Sequence, residues 1–204
     1  MSKIRPKITI SVIVEGFSEE NYINGLKSDL LGDEFCFKIE NVKGGGYKEI
    51  YKKLAQFRGT QIPVLIVADL DRASQDTTEL SNLANLIHKM QQFGKFNNIF
   101  LTFEKFETFL SANFNPFAKD FPKNLNCDLK DLKNKVDLYE FLKRNGGKFE
   151  NAKRYFDARS ENLCFCKISD KKAKFDKEKV ALIQSSFVNF AWYCEYIKKQ
   201  RDKK

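Results

Sequence analysis

The chain has 204 residues, 42% of them hydrophobic, and a formal net charge of +9. That apolar content excludes an intrinsically disordered chain and suffices for one good core or two small ones. The positive balance points to a polyanionic partner, nucleic acid foremost, against the plainer reading of solvated basic faces.

No segment approaches the ~18 apolar residues of a membrane helix. Lys3, Arg5 and Lys7 precede an apolar run that Glu15 cuts short, so no signal peptide is expected. Five cysteines, an odd number, fit reduced thiols in a cytoplasmic protein and read as packing residues.

In chain order, the first signal is Thr9-Ile10-Ser11-Val12-Ile13-Val14, a β-branched run that reads as a buried strand. Glu15 follows at its carboxyl end, then Gly16 as a turn former and Ser18 as the expected helix N-cap. Residues 19–31 predict an amphipathic helix through Tyr22, Ile23, Leu26 and Leu30, stopped at Gly32. Residues 35–40 alternate like a half-exposed strand. Gly44-Gly45-Gly46 reads as an ordinary turn or, less simply, as backbone N–H groups open to a phosphate. A helix over 47–57 has Ile50, Leu54 and Phe57 inward.

Residues 64–68 read as a central strand that runs into Asp69-Leu70-Asp71. The i, i+2 spacing turns both acids to one side of an extended chain. Residues 72–76 read as a polar loop, with Asp76 or Thr77 capping a helix to about Phe93. His88 on that helix reads as a surface or packing residue. A strand is predicted over 98–103 and a helix over 104–113, which carries Glu104 and Glu107. The strand–helix alternation predicts an α/β fold with a mainly parallel sheet flanked by helices.

Residues 115–135 read as a basic loop or short helical insert. Helices are expected over 136–145, with Val136, Tyr139 and Leu142 inward, and over 150–159. A late strand is expected over 163–168. A final helix from Asp176 to Lys199 would bury Val180, Ile183, Phe187, Phe190, Cys194 and Ile197. The chain thus divides into an α/β core over 1–115 and a helical, lysine-rich C-terminal extension over 116–204 packing on it.

Open parallel sheets bind ligands at the carboxyl ends of their strands. Glu15, Asp69 and Asp71 are therefore expected to meet there as a hard oxygen site for Mg²⁺ or Mn²⁺. Clustered acids repel, so at least one should titrate high without metal. The plain alternatives are turn formers for the strand-end acids and a helix N-terminal preference for Glu19 and Glu20.

On these residues the chain resembles the TOPRIM fold, whose signature is a glutamate after the first strand and Asp-x-Asp after a later one. Glu15-Gly16-Phe17-Ser18-Glu19 with Tyr22, and Phe106-Glu107 opening an aromatic helix up to Asn113, are similar to the RloB-like branch. That branch is related to nucleases of the overcoming-lysogenization-defect class. The usual Asn-Pro before Phe-Glu is absent, and Asn113 stands where a histidine is common. Glu104 is a rival to Glu107.

The resemblance implies a TOPRIM/Rossmann-like sheet and metal-dependent cleavage of phosphodiester bonds, in anti-phage defence or as a toxin-like effector. It implies Glu15, Asp69 and Asp71 as catalytic, with Glu19 and Glu107 completing the metal set. It also implies an ATPase partner. Lys43, Lys48 and Arg72 are expected to hold phosphates, and one of Lys167, Lys171, Lys172 and Lys174 to assist, the sequence not choosing between them. The competing readings are a non-catalytic nucleic-acid-binding or partner-regulating module, and an Asp-x-Asp phosphatase. The phosphatase pattern wants Thr or Val where Ala73 stands.

Overall fold

The computed structural model describes residues 6–93, 96–118, 120–157 and 185–203. Four strands form one parallel sheet: β1 (Ile8–Val14), β2 (Phe35–Asn41), β3 (Val64–Asp69) and β4 (Asn98–Thr102), in the order β2-β1-β3-β4. The α/β reading of the sequence holds.

Strands β1, β3 and β4 are buried on both sides, and their period-2 alternation sorts side chains into two cores; β2, at the edge, is only partly covered. Ile10, Val12, Val14, Leu65, Val67 and Phe100 enter one cluster. Ile13, Val64, Ile66, Ala68, Ile99 and Leu101 enter the other. The second is covered by α2 (Gly46–Ala55) and α4 (Thr77–Gln92), which pack on each other through Ile50, Leu54, Leu83 and Leu86. The first is covered by α1 (Phe17–Leu26), α5 (Phe106–Ser111), α7 (Leu138–Arg144), α8 (Phe149–Asp157) and α9 (Phe190–Arg201). Helices beyond residue 116 therefore share a hydrophobic cluster with the sheet.

Several local expectations change. The helix after Gly16 begins at Phe17 with Gly16 as N-cap, so Ser18 lies inside its first turn and caps nothing. Its hydroxyl donates instead to Glu107 Oε1 at 3.4 Å. The end of the predicted 19–31 helix winds as a π-helix over Lys27–Leu31. The 72–76 loop is a short helix, α3 (Asp71–Gln75), because Leu70 and Ala73 are fully buried and tertiary packing overrides turn preference. Asp76 does cap α4, accepting the N–H groups of Thr78 and Glu79 at 2.6 and 3.0 Å.

The basic stretch over 115–135 contains a 3₁₀ turn (Lys123–Leu125) and α6 (Leu129–Lys133). Val136 was expected inward but is 82% exposed, since the next helix starts only at Leu138. The expected helix from Asp176 lies outside the described residues up to residue 184; within them the last helix starts at Phe190, after a 3₁₀ turn over Phe187–Asn189. Before it, Leu101 N–H donates to Ser186 Oγ at 2.8 Å and Ser186 N–H to the Leu101 carbonyl at 2.9 Å. Ser185 bridges Thr102 in antiparallel sense. These bonds to β4 hold the segment out of a helix. The expected strand over 163–168, and Val180 and Ile183, lie outside the described residues.

Candidate metal-binding and phosphate-binding cleft

The sheet order reverses between β1 and β3: the chain leaves β1 for β2 on one side, then returns to β3 on the other. Val14 pairs with Val67, so the residues that follow each strand emerge side by side at this switch point. Glu15 Oε2 accepts the Asp69 N–H at 3.2 Å. A cleft of about 380 Å³ opens there, and Glu15, Glu19, Asp69, Asp71 and Glu107 all line it. The five acids predicted from motifs far apart in the chain are thus brought to one cleft. Glu104 does not line it, whereas Glu107 does.

The acids differ in setting. Glu15 and Glu19 are buried, at 8% and 4% exposure. Burial raises the Glu15 pKa, against the Asp69 N–H and the Arg72 guanidinium, whose Nε lies 3.5 Å from Glu15 Oε1. Burial also pushes Glu19 up to about 8, helped by the charges of Glu15 and Glu107 and opposed by Lys133. Asp69 is raised well above the usual carboxylate range by burial first and by Glu19 next, although Thr102 Oγ1 donates to its Oδ1 at 2.5 Å. The high titration expected from repulsion is present, but loss of water is the larger cause. Asp71 and Glu107 are half-buried at the edge. Glu20 leaves the cleft and takes a bond from Asn41 Nδ2 at 2.7 Å.

Gly16 fits closely against this floor. A Cβ there would lie 3.1 Å from Glu19 Oε2. Helices α1 and α5, which carry Glu19 and Glu107, are joined by the buried Tyr22 hydroxyl, which donates to Asn113 Oδ1 at 2.7 Å. Asn113 Nδ2 in turn donates to the carbonyls of Phe109 and Leu110 at the end of α5. Tyr47 donates to the Asp69 carbonyl and so ties α2 to the end of β3.

The rim is cationic. Lys43 and Arg72 line the cleft as predicted, and Arg72 Nη2 also donates to the Gly44 carbonyl at 2.8 Å. Lys105, Lys130 and Lys133 join them, and Lys133 Nζ lies 3.2 Å from Glu107 Oε1. These three, with Tyr47 and Thr102, escaped the sequence reading. Thr102 was findable, because it is the strand-end residue of β4 in register with Asp69. The lysines of α6 were not, since Leu132, buried in the first core, sets where that short helix sits.

Lys48 does not reach the cleft. Tyr47 takes the inward position of α2, and Lys48, one step round the helix, lines a separate groove between α2 and α4 with His88 and Lys89. His88 is exposed, as predicted for a surface residue. The glycine triplet is a turn: the N–H groups of Gly44 and Gly45 donate to the carbonyls of Glu15 and Val42. Lys167, Lys171, Lys172 and Lys174 lie outside the described residues.

Among the described residues, no three His, Cys, Asp or Glu side chains are already grouped to hold an ion. The donor chemistry nonetheless fits a hard divalent cation: carboxylate oxygens only, crowded in a poorly hydrated floor whose negative charge lacks a matching buried cation. No described helix is long and apolar enough to cross a membrane. Comparison of the chain with family models, with curated proteins and with solved structures finds no match.

Proposed function

We propose that this chain is a divalent-metal-dependent nuclease of the TOPRIM kind, hydrolysing phosphodiester bonds of nucleic acid. The observation that carries the reading is the convergence of Glu15, Glu19, Asp69, Asp71 and Glu107 on one cleft with a cationic rim. Five acids crowded on one floor, faced at its edge by Arg72 and Lys133, attract further cations, and exposed lysines around them attract a phosphate backbone.

Glu19 and Asp69, with Asp71 and Glu107 at the edge, would hold Mg²⁺ or Mn²⁺. The bound ion supplies Lewis acidity at the phosphoryl oxygen and lowers the pKa of water. Arg72 and Lys43 orient the phosphate. Glu15, whose proton affinity burial raises, is suited to give a proton to the leaving oxygen. Thr102 fixes the Asp69 carboxylate through its hydroxyl. The motif resemblance extends the proposal to a cytoplasmic anti-phage or toxin-like role beside an ATPase partner.

The test incubates the protein with plasmid, single-stranded DNA and structured RNA, in Mg²⁺, Mn²⁺ or EDTA. Wild type is compared with Asp69→Ala and Glu15→Gln. Cutting that needs metal and falls at least 100-fold in both variants supports the reading, a loss of about 2.7 kcal/mol in barrier terms. Binding without cutting, unchanged in both variants, would instead leave a non-catalytic nucleic-acid-binding module.

A further inference from the structure

We propose that Phe17 is a stacking platform for an unpaired nucleobase, so that the cleft takes a single strand rather than an intact duplex. The inference rests on the reading of this cleft as a nucleic-acid site. Phe17 is 45% exposed and lines the cleft between Gly16 and the buried Ser18 and Glu19. Among the described residues it is the one apolar side chain in a lining otherwise made of charged and polar residues and glycine. By contrast Phe106 and Phe109, on the helix that carries Glu107 to the cleft, are at most 1% exposed. An aromatic ring held in water beside a charged floor forgoes burial that its neighbours obtain.

The surroundings identify the occupant. Lys43, Lys105 and Lys130 are exposed along the same rim, which suits a flexible polyanion. Lys43 is held in a left-handed conformation, φ 53°, with its N–H bonded to Asn41 Oδ1 at 2.7 Å. A bulky residue adopts that conformation only when its neighbours hold it there. A ring beside lysines matches the alternation of base and phosphate along a strand. In a duplex each base face is covered by the next pair, so a ring at this position meets no open face unless a base is extruded. Stacking of this kind tolerates any base, so the cleft reads strandedness before sequence.

The test measures affinity by fluorescence anisotropy for labelled single-stranded DNA and RNA and for a blunt duplex of the same sequence. Ca²⁺ is present, and Phe17→Ala, Phe17→Trp and wild type are compared after circular dichroism shows each folded. Cleavage in Mg²⁺ and Mn²⁺ is followed on the same strands. Wild type should prefer the single strands, and Phe17→Ala should lose roughly tenfold or more on them, as expected for one base stack, with duplex affinity unchanged. In a Trp192→Phe background, Phe17→Trp should retain affinity and its indole emission should be quenched by the strand.

Unchanged single-strand affinity in Phe17→Ala, with unquenched indole emission, overturns the stacking proposal while leaving metal-dependent cutting intact. Phe17-dependent single-strand binding with no cutting in either metal upholds stacking and sinks the nuclease reading. A wild type that binds no strand overturns both.

Discussion

The two ends of the sheet carry clefts of similar size and opposite character. At the carboxyl ends of the strands, about 380 Å³ is floored by buried acids. At the amino ends, about 430 Å³ lies between Lys7, Gln61, Pro63, Phe96, Ile197 and Arg201, with no carboxylate in its lining among the described residues. Volume does not distinguish them. What differs is that one keeps ionisable groups away from water at a standing free-energy cost, and the other does not. Such a cost persists only where a ligand or a reaction repays it, so the carboxyl edge is the one to perturb.

The largest effect should come from removing that cost. The folded pKa of Glu19, about 8, lies above its ordinary 4.5, so between those values the folded protein binds more protons than the unfolded one. Metal-free stability should therefore be highest near pH 5 and fall as pH rises towards 8. Glu19→Gln should flatten that slope and stabilise the metal-free protein at pH 8 by about 2–4 kcal/mol, read by urea titration at several pH values. A slope as steep in Glu19→Gln as in wild type would remove the contrast between the two ends. Added Mg²⁺ should raise the wild-type Tm more at pH 8 than at pH 5, and raise it little in Asp69→Asn, by thermal melts.

A middle-sized effect tests how the floor is held. Asn113→Ala leaves the Tyr22 hydroxyl buried without its acceptor and should cost about 1–3 kcal/mol by denaturant titration. Lys133→Ala should cost less than about 1 kcal/mol, since its pair with Glu107 has a half-open lysine side chain. Smallest of all, Arg201→Ala at the amino edge should stay within about 0.5 kcal/mol of wild type and leave metal-dependent cutting unchanged, by melts and cleavage gels.

The carboxyl-edge floor was legible in the sequence because two apolar runs end in acids, and strand ends in a parallel sheet share an edge. Glu15, Asp69 and Asp71 follow from period and topology alone. Glu107 over Glu104 did not follow. Their helix starts at Phe106, two residues later than its apolar pattern predicts, and that start turns Glu107 towards the cleft. The rim was read in part, since Lys43 lies in the turn just after β2 and Arg72 in the short helix just after β3. Lys130 and Lys133 depend on how Leu132 anchors a five-residue helix with no propensity signal of its own. The break just before α9 was hidden for a related reason: Phe187 and Phe190 keep helical spacing, but Ser186 spends its N–H and its hydroxyl on Leu101 of β4.

Those bonds to β4 have a consequence for self-association. A strand at the margin of a sheet is a template on which another chain can polymerise. Ser185 and Ser186 occupy that template beside Leu101 and Thr102, so growth of the sheet from this flank is blocked by the molecule itself. Any assembly by sheet extension would have to proceed from the opposite margin, along Phe35–Asn41.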